Sequence, residues 1–261
     1  MAAGALEPNC AISGGSFCST HGSGDSTRSE MSIISAIFRL HPLWLTLKVA
    51  AVATISAFMI GVALAFLLAK GRFRGRDWLD AFLTLPLVLP PTVLGYYLIV
   101  LVGRNGWIGY WLNYAFGITL MFTWQGAALA ATIVSLPLVL KSARTAFESV
   151  DQNLEKAART LGLSETGVFF RVSFPLAWRG ILGGTMLAFA RAMGEFGATL
   201  MIAGNLPGKT QTLSLAVYDA VQAGNDSLAA MLVIITSLVC ILVLVSSGKV
   251  LKTNYLREVD R

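Results

Sequence analysis

Five apolar runs constrain this chain most, at 43–69, 79–102, 118–140, 180–203 and 228–248. Each is near the ~20 residues that a helix needs to cross a hydrocarbon core. Backbone groups in lipid must be satisfied within the segment, so runs of this length imply an all-α membrane protein with five transmembrane helices. Composition agrees: 55% of the 261 residues are hydrophobic and 13% charged, about half the usual charged share of a soluble domain. Mean hydropathy is +0.68.

The charges carry topology. A net charge of +6 is compatible with nucleic acid only if it forms a patch, and here the charges sit in short loops beside the spans. Residues 70–78, 141–179 and 249–261 hold fourteen of the twenty Lys and Arg. The positive-inside rule places these segments in the cytoplasm, with the N-terminus outside and the C-terminus cytoplasmic. Residues 1–30 are rich in Gly and Ser and lack a signal-peptide pattern, so they read as a disordered tail or a mis-assigned start. Residues 31–42 form an amphipathic lead-in closed by His41-Pro42, residues 43–250 the transmembrane body, and 251–261 a cytoplasmic tail. Cys10, Cys18 and Cys240 form no CxxC or Cys/His cluster, so neither a metal site nor a disulfide framework is expected.

Between the third and fourth spans lies a polar island, 149–176. Leu154, Ala157, Ala158 and Leu161 fall at i, i+3, i+4 and i+7, one face of a short helix, with Glu155, Lys156, Arg159 and Thr160 on the other. Gly162 suits a helix end with positive φ, Ser164 and Glu165 suit the start of a second short helix, and Pro175 limits it. Geometry alone leaves two readings: a connector lying on lipid, or a docking surface whose alanines admit a close partner.

The spans carry further candidates. Arg191 and Glu195 lie inside the fourth, spaced i, i+4; they are either a self-neutralised pair or, with Thr199, a face lining an anion route. Gly180, Gly184, Ala188 and Ala192 recur every four residues, which suits close helix packing within one subunit or across a dimer axis. Pro86, Pro90 and Pro91 interrupt the second span. A kink, or a helix restarting at Pro91-Thr92 with free N–H groups for an anion, would each account for them. Pro137 bends the third span, where Gln125 is an interhelical or pore residue. Gly204–Thr210 imitates a phosphate-binding loop but is one residue short of GxxxxGKT and follows no strand, so it is not a nucleotide site.

Glu155-x-Ala157-Ala158-x-x-x-Gly162, followed by Val172-x-x-Pro175, resembles the cytoplasmic coupling loop of ABC importer permeases. Leu85–Gly95, Glu155–Pro175 and Phe189–Asp219 together resemble the molybdate branch, which also contains tungstate and sulfate permeases. The resemblance implies the type I importer permease fold and an ATPase-coupling set of Leu154, Glu155, Ala157, Ala158, Arg159, Leu161, Gly162, Phe169 and Pro175. Pro90, Thr92, Gln125, Arg191, Glu195 and Thr199 are then candidates for the path or gate. It also implies a second copy of the chain, a separate cytoplasmic ATPase, and an extracytoplasmic oxyanion-binding protein meeting loops 103–117 and 204–227. No catalysis, cofactor or metal is expected in this chain, and no nucleic-acid partner. Sulfate or tungstate is the alternative cargo; an ATP-independent channel and a membrane-anchored interaction protein are the alternatives of a different class.

Overall fold

The computed structural model describes the backbone of residues 24–259, apart from 72, 73, 105 and 118. Its side chains are described from 41 to 248, apart from those residues and 116, 246 and 247. Residues 1–23 of the expected tail at 1–30, all side chains up to residue 40, and those of the tail at 251–261 lie outside the described residues; the backbone of 24–30 is helical. Backbone contacts separate residues 1–38 from 39–261, and the helix bundle belongs to the second unit.

All regular structure among the described residues is helical. Helix α1, Gly24–Lys70, continues through Pro42. After Gly75 turns the chain at φ 100°, α2 occupies Arg76–Val88 and α3 occupies Pro91–Val102. The two meet at 115°, so the second apolar run is a sharply broken pair. A residue before proline is pushed out of the α region, and both Leu89 (ψ 140°) and Pro90 (ψ 137°) precede one. Pro91 then opens α3 at the first position, where its missing N–H costs nothing.

A short outer helix α4, Trp107–Phe116, precedes α5, Trp124–Glu148. Thr123 caps α5 by accepting from the Gly126 N–H at 3.3 Å. The third span therefore starts and ends later than the apolar run suggests, and Pro137 lies within it without ending it. Next come α6, Gln152–Thr160, α7, Glu165–Val168, and a π-helical turn at Phe169–Ser173 that leads directly into α8, Phe174–Met193. Helix α9, Gly197–Ala203, is bent 59° from α8. Helices α10, Leu213–Gln222, and α11, Asp226–Val259, complete the chain. Three segments, His41–Lys70, Trp124–Glu148 and Asp226–Val245, are single helices long and apolar enough to cross a membrane; counting each bent pair as one span raises the number to five.

Helix α5 is the centre. Ala127, Ala130, Ala131, Val134, Val139, Leu140, Ala143 and Phe147 are buried along it, and α8 packs along its length. Small residues set the approach, as expected where helices associate by close contact in lipid. A Cβ at Gly180 would lie 2.6 Å from the Cβ of Ala146, and one at Gly184 would collide with Ser142. With Ala188 and Ala192 buried as well, the four-residue stripe of α8 is engaged largely within the chain. The other close crossing joins the two broken pairs: α3 lies against α9, with Gly197 beside Pro91 and Gly95 beside Ala198 and Met201.

Gly197→Val should therefore force the two restarts apart, since even a Cβ there would stand 2.6 Å from that of Pro91. The expected loss is about 1–3 kcal/mol, read as a lower thermal midpoint in detergent. Gly183→Ala, with nothing within 4 Å of its Cβ, should not lower the midpoint and by helix propensity should raise it slightly.

Candidate functional site

The polar island folds as helix, glycine turn, helix. Asp151 caps α6 by accepting from the Asn153 N–H at 2.8 Å. Gly162 takes φ 84°, and Ser164 accepts from the Gly167 N–H at 3.2 Å. Pro175 does not stop the second helix. It has no N–H to donate, and just before it the helix widens so that the Phe174 N–H reaches back to Phe169 O, a π-type bond. The chain passes into α8 without a break.

The faces of α6 differ from the expectation. Glu155, assigned to the polar outer face, is 3% exposed and Ala158 6%, whereas Leu154 and Leu161 are 50% and 84% exposed. Ala157 is exposed beside them. The reason lies 85 residues away: Lys70 Nζ, at the end of α1, contacts the Glu155 carboxylate at 2.8 and 2.9 Å. Ser173 Oγ donates to the same carboxylate at 2.7 Å. A buried carboxylate is stable only when paired and hydrogen-bonded, and here it is both. Pinned by that contact, α6 presents Leu154, Ala157 and Leu161 outward as an apolar stripe.

Phe169 does not join this stripe; it packs inward at 4.6 Å from Phe66, 5.9 Å from Phe147 and 5.8 Å from Phe174, centroid to centroid. Arg159 forks onto Glu165 at 2.7 and 3.1 Å. That hydrogen bond holds the Glu165 carboxyl below its ordinary pKa. The pairing contributes above the ordinary carboxylate value and is lost as pH falls through the depressed one.

The second cluster lies at the helix breaks. Arg191 Nη1 is 2.9 Å from Glu195 Oε2, while Glu195 Oε1 accepts from the Ala198 N–H at 2.9 Å and so caps α9. The Glu195 side chain is 2% exposed and that of Arg191 34%. Because the carboxylate also satisfies a helix N-terminus, which carries partial positive charge, Arg191 is not fully cancelled. Pro90 and Thr92 are exposed at the opposite break, and Thr199 is buried in α9. Gln125 sits elsewhere, in a pocket with Lys48 and Lys209.

The family of binding-protein-dependent transport system inner membrane components matches residues 43–252. The chain belongs to that family. It is 49% identical over 193 residues to the molybdenum transport system permease protein ModB of Escherichia coli K12, spanning 74% of this chain and 84% of that protein. It is 44% identical over 178 residues to ModB of Haemophilus influenzae, spanning 68% and 78%. Among solved structures, an inward-facing MetNI methionine ABC transporter superposes with a TM-score of 0.66 over 84% of this chain and 97% of that one, at 16% identity. An amino acid ABC transporter gives 0.59 over 87% and 97%, at 18% identity. At such identities the likeness concerns the fold, which is that of an ABC importer permease. The chain is a multi-pass inner-membrane permease subunit, and its family implies an ATPase and a binding protein as partners.

Sequence reasoning missed the residues that orient this permease's loop. Lys70 and Ser173 stand out in no motif, because a Lys ending a span reads first as part of the basic cytoplasmic edge. It also missed a network joining α2 to the end of α5. Arg144 contacts Glu148 at 2.9 Å and Asp80 at 3.0 Å, Arg76 contacts Glu148 at 2.7 Å, and Lys141 contacts Asp80 at 2.6 Å. Single pairs of this exposure contribute little. Their value here is positional: the first half of the broken second span is tied to the helix that feeds α6.

Lys70→Met should strand the buried carboxylate on Ser173 alone and cost about 3 kcal/mol, seen as a lower thermal midpoint; an unchanged midpoint would remove the pair as the tether. Exchanging Arg191 and Glu195 should also lower the midpoint, by about 1–3 kcal/mol, because an Arg at 195 cannot accept from the Ala198 N–H. Arg191→Gln, which keeps that cap, should lower it less.

Proposed function

We propose that this permease is the membrane subunit of an ATP-driven molybdate importer, working as a homodimer with five spans, the N-terminus outside and the C-terminus in the cytoplasm. The cargo is inferred from the relatives, which are molybdenum transport permeases by name. ATP hydrolysis resides in a separate cytoplasmic subunit, and this chain supplies the path and the lever.

The observation that carries the coupling role is the outward stripe of Leu154, Ala157 and Leu161 on a loop held rigidly from behind by Glu155 and Lys70. An apolar stripe with a small residue at its middle fits a cleft in a partner, as an amphipathic helix in a groove does. As two ATPase subunits close, the paired loops approach and the bundle rocks between inward- and outward-facing states. The tether to α1 and the α2–α5 charge network transmit that motion. The path runs past the two breaks, beside the exposed Pro90 and Thr92 and the partly exposed Arg191, while Glu195 and Thr199 are buried. The open groove of about 860 Å³ beside Thr145, Gly180, Gly183 and Leu187 is the surface a second copy would cover. Loops 103–117 and 204–227 face the binding protein.

Ala158→Arg would disrupt the loop itself, because Ala158 is covered by its own chain. Ala157→Arg is the cleaner probe. It should leave insertion intact, abolish ATPase co-purification and reduce molybdate uptake at least about tenfold, the effect of losing some 1.4 kcal/mol of association. Uptake at the wild-type rate would overturn the coupling assignment. Competition with tungstate and sulfate in the same assay reads the cargo, and flux without ATP would favour a channel.

A further inference from the structure

The imitation phosphate loop has a structural purpose that leads to a site. A pocket of about 390 Å³ is lined by Lys48, Lys209, His41, Gln125, Trp124 and Thr210, among others, and no Asp or Glu lines it. Lys48 Nζ stands 3.8 Å over the centroid of Trp124. It is thus held by the negative face of a ring. Among the described residues neither Lys48 nor Lys209 is in an ion pair. The Thr210 hydroxyl is engaged, donating to Gly204 O at 3.3 Å and accepting from the Leu206 N–H at 3.1 Å. The donors left over are the two ammonium groups and the Gln125 amide; His41 also lines the pocket, its Nδ1 buried without a hydrogen-bond partner.

The loop that presents Lys209 is fixed. Thr210 is fully buried, Gly204 and Gly208 take φ of 67° and 76°, and the Leu213 N–H donates to Thr46 Oγ1 of α1 at 2.8 Å. Lys48 precedes Lys70 by 22 residues of one helix, about 33 Å at 1.5 Å per residue. The pocket is therefore at the end of the bundle opposite the coupling loop.

We infer that this pocket is an outer receiving site for a tetrahedral oxyanion dianion, the group that a binding protein would release into the permease. A lining of hydrogen-bond donors and two cations, without a competing carboxylate, suits a ligand that only accepts. Lys48, anchored on the Trp124 ring, has less freedom to lose on binding. The ring holds Lys48 at the pocket wall without neutralising its charge. The inference rests on the reading that the cargo is an oxyanion.

The test uses the permease–ATPase complex in lipid nanodiscs without binding protein. Labelled molybdate is measured by equilibrium dialysis, with tungstate and chloride as competitors. Saturable binding displaced by tungstate and not by equimolar chloride is expected. Lys48→Gln and Lys209→Gln should each weaken it about tenfold, the scale of one lost charge-assisted bond, and Lys209→Arg should retain most of it. Lys48 and Lys209 are both exposed, so loss of fold does not explain lost binding. No saturable binding to the wild type, or undiminished binding by both Gln variants, overturns the site. If the two lysines instead serve acidic groups of the binding protein, the chain without that protein binds no molybdate. Uptake by the complete system reports the cargo separately: molybdate uptake without binding in this assay sinks only the receiving site, whereas absent molybdate uptake sinks the cargo reading.

Discussion

The buried carboxylate of Glu155 organises the cytoplasmic end of the chain. Lys70 closes α1, Ser173 ends the π turn, and both converge on it at 2.7 to 2.9 Å. Three segments distant in sequence thus share one charge. Removing that charge from water is costly without both partners, so the contact specifies a single orientation for α6. Everything the loop presents outward depends on it, including the exposure of Leu154 and Leu161. The aromatic packing of Phe66, Phe147 and Phe169 fills the space behind the same joint and resists rotation of the loop about it.

The broken spans solve a second problem with the same economy of parts. Two prolines in succession make the first break unavoidable, and the second is closed by a side chain, since Glu195 supplies the acceptor that α9 lacks from its own backbone. Glycines at 95 and 197 let the restarted halves touch. Irregular backbone at membrane depth is tolerable only where protein or a wet cavity satisfies it, and here protein does so on one side. That arrangement leaves Arg191 partly exposed.

Much of this architecture is legible in the sequence. The apolar runs predict helices in the right order, and Gly162 and Ser164 sit where turn and cap chemistry places them. Pro90 and Pro91 announce a break, though its angle depends on where α3 finds room to pack against α9. The orientation of α6 is not legible, because periodicity ranks faces by polarity. It cannot see that Lys70, 85 residues earlier, offers Glu155 a partner. The same blindness hides the contacts of Arg76 and Asp80 on α2 with Lys141, Arg144 and Glu148 on α5, since the two elements are far apart in the chain.

By itself the sequence determined the membrane class, the helix order, the break at Pro90-Pro91 and the glycine turn and cap of the polar loop. These depend on hydropathy, proline stereochemistry and local hydrogen bonding, all short-range properties. Tertiary structure alone decided which face of α6 is presented, how the small residues of α8 are engaged, and that Lys48, Gln125 and Lys209 line one pocket. Those outcomes depend on pairing between charges and surfaces far apart in the chain, where burial makes a partner obligatory and only the packed fold brings one within reach.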